Sequence, residues 1–332
     1  MMNKRLKQGS TFLLAVALTF PLLTLPGAKA ASAINTGQKC SIEFDISGNS
    51  SELLSASIPV KLYKVASVDE SGNYTGIGAF SKLDLSSVSA DNLDAAAATW
   101  AERAAEAKKL LKDDTEPTTT TLTQGRGTAT GLDTGLYLVD TPKVITPNYT
   151  YTFTPYLVSL PTNNYYSGNG ASDDWIYDLT KEYNSAVGLK PEEHARYGDL
   201  KINKTLAHHN ATTGKKATFV FKIEITPLKG KTETRIESLD FEAAGDSSVT
   251  ITRIPAGATV TVKEEYSGAS YKLTSANDQM TKIIATDEKG APVSVSFTND
   301  VDDNMNGGYG VKNNFKLNEN GQYQYTEPAE KN

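Results

Sequence analysis

A lysine, a glutamate and an asparagine occupy inward-facing positions of predicted strands in the second half of the chain. Side chains alternate between the two faces of a strand, so a polar residue in phase with apolar neighbours points toward the core. The in-phase sets are Leu200, Ile202, Lys204 and Leu206; Val260, Val262 and Glu264; and Val293, Val295, Phe297 and Asn299. Burial of an ammonium, a carboxylate and an amide is costly unless they satisfy one another. The pattern therefore predicts that Lys204, Glu264 and Asn299 meet.

Together these side chains contain the groups needed to make an amide bond within one chain. An uncharged lysine amine can attack the side-chain carbonyl carbon of an asparagine and release ammonia, provided that apolar surroundings lower the pKa of the lysine. An acid beside them is needed to carry protons and to polarise the amide. Fixed positions in a dry core supply an effective concentration on the order of 10⁵ M or more. The predicted chemistry happens once per molecule, without turnover.

Each of the residues also has a structural interpretation when it is taken alone. Lys204 can extend its charge to solvent from a strand end, and Asn299 can end its strand as a turn residue. Glu264 can belong to a solvated pair with Glu265. The occurrence of all three in phase, on different strands of one region, favours the joint site.

The region around these residues predicts a β-sandwich. Alternating apolar runs are predicted as strands over residues 200–206, 217–225, 248–254, 259–264 and 293–299. Turn-forming segments rich in Gly, Pro, Asn and Asp separate them. Short strands at this spacing, without a strong helical pattern, indicate an antiparallel sandwich over residues 198–301.

The preceding region, residues 31–190, predicts a further sandwich that carries a helix. Strands are predicted at residues 58–66, 136–139 and within 149–160. Between them, apolar residues recur at helical spacing from Asp91 to Lys112, with Ser89 or Asp91 as the N-cap. We expect the apolar stripe of this helix to face the core. The expected fold class is mainly β, with two tandem immunoglobulin-like β-sandwich domains and an α-helix inserted in the first.

One polar segment lies between the two predicted domains, and another follows the second domain. Residues 190–198, which contain Pro and Gly, are predicted to link the two domains. Residues 302–332 are rich in Asn and Gly and predict a flexible tail. The tail contains no apolar stretch and no terminal basic cluster, so we expect neither a membrane span nor a wall-sorting signal in it.

Residues 1–30 predict a secretory signal peptide. A basic region at residues 4–7 precedes an apolar segment at 12–25, and a small-x-small cleavage site ends at Ala30. A membrane anchor is the alternative, but the apolar run is short and interrupted by prolines. We expect cleavage between Ala30 and Ala31, no membrane span afterwards, and a secreted, extracellular or cell-surface location.

Composition excludes further function classes. The chain has 33 basic and 39 acidic residues and a net charge of −6, and loss of the signal peptide removes basic residues only. An acidic secreted chain is a poor candidate for binding nucleic acid or anionic membranes. The single cysteine, Cys40, cannot form an intrachain disulfide. We expect it to be a small residue at the start of the first strand, with an intermolecular disulfide as the alternative.

No pattern typical of a turnover enzyme or a cofactor site occurs. The three histidines include an adjacent pair, His208 and His209, in a predicted turn. Metal-ligand spacing, a nucleophile elbow and a phosphate loop are all missing from the sequence. We therefore expect no metal, no cofactor and no enzyme beyond the single cross-linking event, with a secreted enzyme as the disfavoured alternative.

Four segments resemble the isopeptide-linkage domains of Gram-positive pilins, which are CnaB-like sandwiches. They are DLKINKTL (199–206) followed by ATFVF (217–221), IPAGATVTVKEE (254–265) and VSFTN (295–299). In that family a lysine and an asparagine are joined by an intramolecular isopeptide bond, and a glutamate catalyses its formation. By position, the resemblance implies a bond between Lys204 and Asn299 with Glu264 as catalyst.

The first domain is similar to the N-terminal domains of sortase-assembled pilins. The resembling segments are LYKVA (62–66), GLYLV (135–139), PYLVSLP (155–161) and WIYDL (175–179). In CnaB-type domains a glutamate often follows the Gly-x-Tyr strand, whereas Thr141 stands there in this chain, so we expect no isopeptide bond in the first domain. Pilins also carry a lysine that a sortase joins to the next subunit. The usual Tyr-Pro-Lys context is absent; Lys190 is the first candidate and Lys181 the second, and an ordinary exposed lysine is an equal interpretation of either.

The resemblance implies a structural subunit of a Gram-positive cell-surface pilus or fibre, with other pilin subunits and a sortase as partners. The alternative is an adhesin whose first domain binds a host surface protein or glycan and whose second domain is a stalk. Tyr165, Tyr166 and Trp175 are candidates for an exposed aromatic contact surface in that case. Packing in the core or at its rim is the competing role for these aromatic residues.

Overall fold

The computed structural model describes most of the chain from residue 32 onward. The described residues are 32–86, 88, 97–163, 175–180, 187–211, 216–268, 270–286, 290–302, 314–317 and 323–326. Several predicted features lie outside them: the signal peptide with its Ala30–Ala31 cleavage site, the start of the predicted helix with Ser89 and Asp91, Lys181, and the aromatic pair Tyr165 and Tyr166.

The first part of the chain is built mainly from strands. Its helices are α1 (Ser51–Leu54), a 3₁₀ turn (Gly78–Phe80) and α2 (Ala97–Leu110). Its strands are β1 (Cys40–Asp45), β2 (Ile58–Val68), β3 (Tyr74–Gly76), β4 (Thr118–Leu122), β5 (Arg126–Leu132), β6 (Gly135–Asp140), β7 (Val144–Ile145), β8 (Tyr149–Phe153), β9 (Tyr156–Leu160), β10 (Thr162–Asn163), β11 (Trp175–Ile176), β12 (Asp178–Leu179) and β13 (Pro191–Ala195). The largest sheet has the order β3-β2-β6-β9, with β4 also paired to β2.

Both faces of this sheet are covered, which explains the sequence of β6. Leu62 and Tyr137 point into a core shared with β1, β5 and β8. Val65 and Leu138 point to the opposite face, where α2 packs. A strand buried on both faces has a continuous apolar run in place of alternation, and GLYLVD has that character.

The inserted helix is confirmed, but it ends earlier than predicted. Helix α2 ends at Leu110, two residues before the predicted end at Lys112. The Thr115 N–H donates to the Lys112 carbonyl oxygen, so the chain forms a turn where the prediction continued the helix. Ala104 and Ala107 are fully buried, as the apolar stripe predicted. The predicted helix was too long at its C-terminus because apolar Leu111 continues the helical spacing and still packs against the same core.

The second part of the chain is a sandwich of two sheets. Its strands are β14 (Tyr197–Leu206), β15 (Ala217–Thr226), β16 (Glu233–Phe241), β17 (Gly245–Pro255), β18 (Thr259–Tyr266), β19 (Tyr271–Leu273), β20 (Gln279–Lys282) and β21 (Val293–Val301). Two four-stranded sheets, β17-β14-β21-β19 and β16-β15-β18-β20, enclose one apolar core. A separate hairpin follows, formed by β22 (Asn314–Leu317) and β23 (Tyr323–Thr326).

The sequence predicted an antiparallel sandwich, but one pair of strands in it is parallel. Strands β14 and β21 lie side by side and run parallel, with Lys204 opposite Phe297 and Leu206 opposite Asn299. Alternation along a strand indicates which face is buried but carries no information about the direction of its neighbour. The parallel pair places Lys204 and Asn299 at the same end of adjacent strands.

The predicted linker is largely a strand. Residues 191–195 form β13, which pairs antiparallel with β8, and only Arg196 separates β13 from β14. Pro191 is the first residue of β13, a position that tolerates proline because the strand lies at the edge of its sheet. The buried residues on the two sides of Arg196 belong to separate cores. The division into domains at residues 190 and 198 stays a prediction.

Candidate cross-linking site

Lys204, Glu264 and Asn299 lie together inside the sandwich. Their exposed fractions are 0%, 3% and 0%, although all three are polar. Lys204 comes from β14 and Asn299 from β21 in one sheet, whereas Glu264 comes from β18 in the opposite sheet. The alternation that predicted an inward position for each of them is matched by the burial pattern of all three strands.

The three side chains satisfy one another by hydrogen bonds. The Lys204 Nζ donates to Glu264 Oε2 at 2.6 Å and also to Asn299 Oδ1. The Asn299 Nδ2 donates to Glu264 Oε1 at 2.6 Å. The carboxylate thus contacts the amine through one oxygen and the amide nitrogen through the other. These contacts disfavour both the exposed lysine and the solvated Glu264–Glu265 pair.

Aromatic rings enclose the amine. The Lys204 Nζ lies 4.4 Å from the ring centroid of Phe219 and 5.9 Å from that of Phe221. The Phe221 and Phe297 rings pack against each other with centroids 5.2 Å apart. The alternation of β15 indicated that Phe219 and Phe221 are buried, but periodicity alone could not show that they contact Lys204.

Burial changes the protonation of the amine. Removal from water lowers the pKa of Lys204 below its usual 10.5, and the Glu264 carboxylate acts in the opposite direction. A lowered pKa increases the fraction of uncharged amine, which is the nucleophilic form. The site therefore contains a nucleophile, an amide acceptor and an acid in mutual contact, the arrangement required for amide transfer.

Other residues singled out from the sequence lie apart from this site. Lys190 is exposed and stands directly before β13. Thr141 is 5% exposed. Trp175 is half-buried and packs beside Ile34 and Val68.

Cys40 begins β1, as expected, and is fully buried. Burial raises the pKa of its thiol to about 12, which leaves the thiol protonated and unreactive at neutral pH.

The described residues contain neither a membrane-spanning helix nor a cluster of metal-ligating side chains. Within them, no helix is long and apolar enough to cross a membrane. Over the same residues, no cluster of His, Cys, Asp and Glu side chains has the composition to hold a metal ion.

Comparison of sequences matches part of the chain to a family model. The family model described as a domain of unknown function, DUF5979, matches residues 200–302, a segment that contains Lys204, Glu264 and Asn299. No curated protein matches the chain.

Comparison of structures gives likenesses to Gram-positive pilins and adhesins. The major pilin T3.2 of Streptococcus pyogenes is 12% identical over 82% of this chain and 99% of its own, with a TM-score of 0.28. The major pilin SpaD of Corynebacterium diphtheriae is 12% identical over 81% of this chain and 99% of its own, with a TM-score of 0.25. An adhesin of Mobiluncus mulieris that contains disulfide, isopeptide and ester cross-links is 13% identical over 74% of this chain and 84% of its own, with a TM-score of 0.26.

Proposed function

We propose that this chain is a structural subunit of a Gram-positive cell-surface pilus or fibre, stabilised by an isopeptide bond between Lys204 and Asn299 that Glu264 catalyses. The observation that carries the proposal is the buried contact of these three groups, each within hydrogen-bond reach of the other two. A charge pair with an amide in a closed core has little structural value by itself. Its composition fits a reaction that consumes the charges.

The contacts supply a route in which atoms and protons balance. Lys204 passes one proton to Glu264, and the uncharged Nζ attacks Cγ of Asn299, pushing the carbonyl electrons onto Oδ1. The Glu264 carboxyl protonates Nδ2, the C–Nδ2 bond breaks as the carbonyl re-forms, and ammonia departs. Glu264 takes the second proton from Nζ and yields it to ammonia, which leaves as ammonium. The carboxylate is regenerated, and one C–N bond has replaced another.

The position of the bond fits a load-bearing role. It would join β14 to β21, the first and last strands of the sandwich, across 95 positions of sequence. Tension that enters through β14 would cross the bond and leave through β21. The strands that lie between them in the sequence, β15 to β20, would then carry no load. A bond of this kind resists reducing conditions, which a disulfide does not.

The pH dependence of stability is expected to differ between reacted and unreacted chains. In Asn299→Ala the lysine stays an amine, and its folded-state pKa lies below the usual 10.5. The unfolded chain then binds the proton more tightly, so stability rises as pH increases from the folded-state value toward 10.5. Wild type, whose amine has become an amide nitrogen, lacks this contribution. Between neutral and alkaline pH, the urea midpoint of Asn299→Ala should rise more steeply than that of wild type. If the two midpoints depend on pH in the same way, the claim that only the variant keeps a free Lys204 amine is contradicted.

Assembly is tested by extracting wall material from cells that express the chain together with its sortase. We expect a ladder of multimers that survives boiling in detergent, and its loss when Lys190 is replaced by arginine. Lys143→Arg, at another exposed lysine of the first part of the chain, is the matched control and should keep the ladder. A single monomeric band from wild type would contradict a fibre subunit. A ladder that persists in Lys190→Arg would reject only that acceptor.

A further inference from the structure

The amide N–H of Glu264 is held by a side chain in place of a strand. The ladder between β18 and β20 ends at the pair Val262–Gln279. Continued by two residues along each strand, the same register would pair Glu264 with Asn277. At that position the Glu264 N–H donates to the side-chain Oδ1 of Asn277 at 2.8 Å. The asparagine amide therefore replaces the backbone carbonyl of a missing ladder partner.

The other side of Glu264 is irregular as well. The β15–β18 register shifts here, since Phe221 is opposite Glu264 whereas Val220 is opposite Tyr266. Glu265 is thus an extra residue in β18, which is the pattern of a β-bulge. A bulge redirects side chains and weakens the local ladder. The direction of the Glu264 carboxylate consequently depends on the Asn277 contact more than it would in a regular strand.

The segment that carries Asn277 is also attached to the strand of Asn299. We name residues 274–279 the bridging segment. Its bonds to β21 are Thr274 N–H to the Thr298 carbonyl oxygen at 2.8 Å, Thr298 N–H to Ser275 Oγ at 3.1 Å, and Ser296 N–H to Gln279 Oε1 at 3.1 Å. One short segment is therefore bonded both to the backbone of the acid and to the strand of the amide acceptor, which belong to opposite sheets.

We propose that Asn277 is a positioning residue for the cross-linking reaction. It fixes the backbone of Glu264 at the bulge, and the bridging segment fixes that point relative to Asn299. The inference rests on the proposed function, since it assigns Asn277 a role in the same reaction. Asn277 touches neither reacting atom; it acts through Glu264.

Loss of the Asn277 acceptor is expected to slow bond formation without preventing folding. A displacement of about 1 Å at a reacting group can cost on the order of 10²-fold in rate. We expect Asn277→Ala to slow ammonia loss by at least about tenfold, within that limit. Asn277→Asp keeps an acceptor oxygen and should react at close to the wild-type rate. Asp278→Ala, at the next and exposed residue, should be unchanged.

The experiment follows the full mature chain as it refolds. Each protein is produced as unfolded inclusion bodies and dissolved in denaturant, so that it has not yet reacted. Its full mass is verified, and it is then diluted into buffer. Circular dichroism then gives the rate of folding, and intact mass gives the rate of ammonia loss. We expect Asn277→Ala to fold at the wild-type rate but to lose ammonia more slowly. In Asn277→Asp the rate of ammonia loss should return to nearly the wild-type value. A purely structural role would alter the folding signal and leave the reaction of folded molecules unchanged.

The outcomes separate the two proposals. If wild type folds and never loses ammonia, the cross-linking function itself is wrong. If wild type reacts and folded Asn277→Ala reacts equally fast, only the role of Asn277 is overturned. If Asn277→Ala does not fold, Asn277→Ser is compared with Asn277→Asp, because serine is too short to reach the Glu264 N–H. Equal reaction rates in those two variants would likewise overturn the inference.

Discussion

Replacement of Glu264 by glutamine is expected to leave the chain at its full mass, whereas the mature wild-type chain is expected to be lighter by one ammonia. Glutamine preserves the volume of the side chain but cannot accept a proton from Lys204 or deliver one to Asn299. Loss of a general acid–base group typically slows a reaction by roughly 10²- to 10⁴-fold. Intact-mass spectrometry of freshly folded protein measures the difference directly.

The neighbouring acid supplies the matched control. Glu265 follows Glu264 in the chain but is exposed, at the bulge, and takes no part in the buried contacts. Glu265→Gln should therefore lose ammonia as wild type does. Full mass in wild type, or ammonia loss in Glu264→Gln at the wild-type rate, would contradict the catalytic assignment.

Removal of the proposed Lys204–Asn299 bond is expected to lower the free energy of unfolding of the sandwich substantially. A covalent closure over 95 positions restricts the unfolded chain, and the chain-entropy model gives about 4–5 kcal/mol for a loop of this length. For a domain of about 100 residues, each kcal/mol shifts the melting midpoint by about 4–8 °C. Asn299→Ala should therefore unfold at least about 15 °C below wild type and become sensitive to trypsin.

Two further variants isolate the contribution of the bond from that of the side chain. Asn203→Ala removes an asparagine from the half-buried outer face of β14 and should have little effect. Glu264→Gln keeps Asn299 but stays unlinked, so its midpoint should fall together with that of Asn299→Ala. Scanning calorimetry with and without reductant should give the same wild-type midpoint. If Asn299→Ala lowers the free energy of unfolding by less than about 2 kcal/mol, the missing buried amide alone accounts for the loss. That result would contradict a stabilising bond.

The candidate site could be predicted because burial and periodicity coincide in its strands. Lys204, Glu264 and Asn299 each continue an apolar alternation, and a period of two leaves only one face for each side chain. Their burial and mutual hydrogen bonds match that expectation. The strands that hold them were found for the same reason.

Other features depend on contacts that periodicity does not encode. Strand β16 was missed because residues 233–238, the first two thirds of the strand, are mostly polar and none of them is buried. The parallel pairing of β14 with β21 and the bulge at Glu265 depend on which strands become neighbours. Asn277 lies in a polar segment that looks like an ordinary loop, and only its bond to the Glu264 N–H gives it a role.

The most direct measurement is peptide sequencing of the denatured, trypsin-digested wild-type protein. Trypsin does not cleave after a lysine whose amine is in an amide bond, so residues 202–215 should remain joined to residues 290–312. The account predicts one branched peptide with its junction at Lys204 and Asn299, lighter by one ammonia than the sum of its arms, and absent from Glu264→Gln. Recovery of a peptide that ends at Lys204 together with an unmodified 290–312 peptide would contradict it.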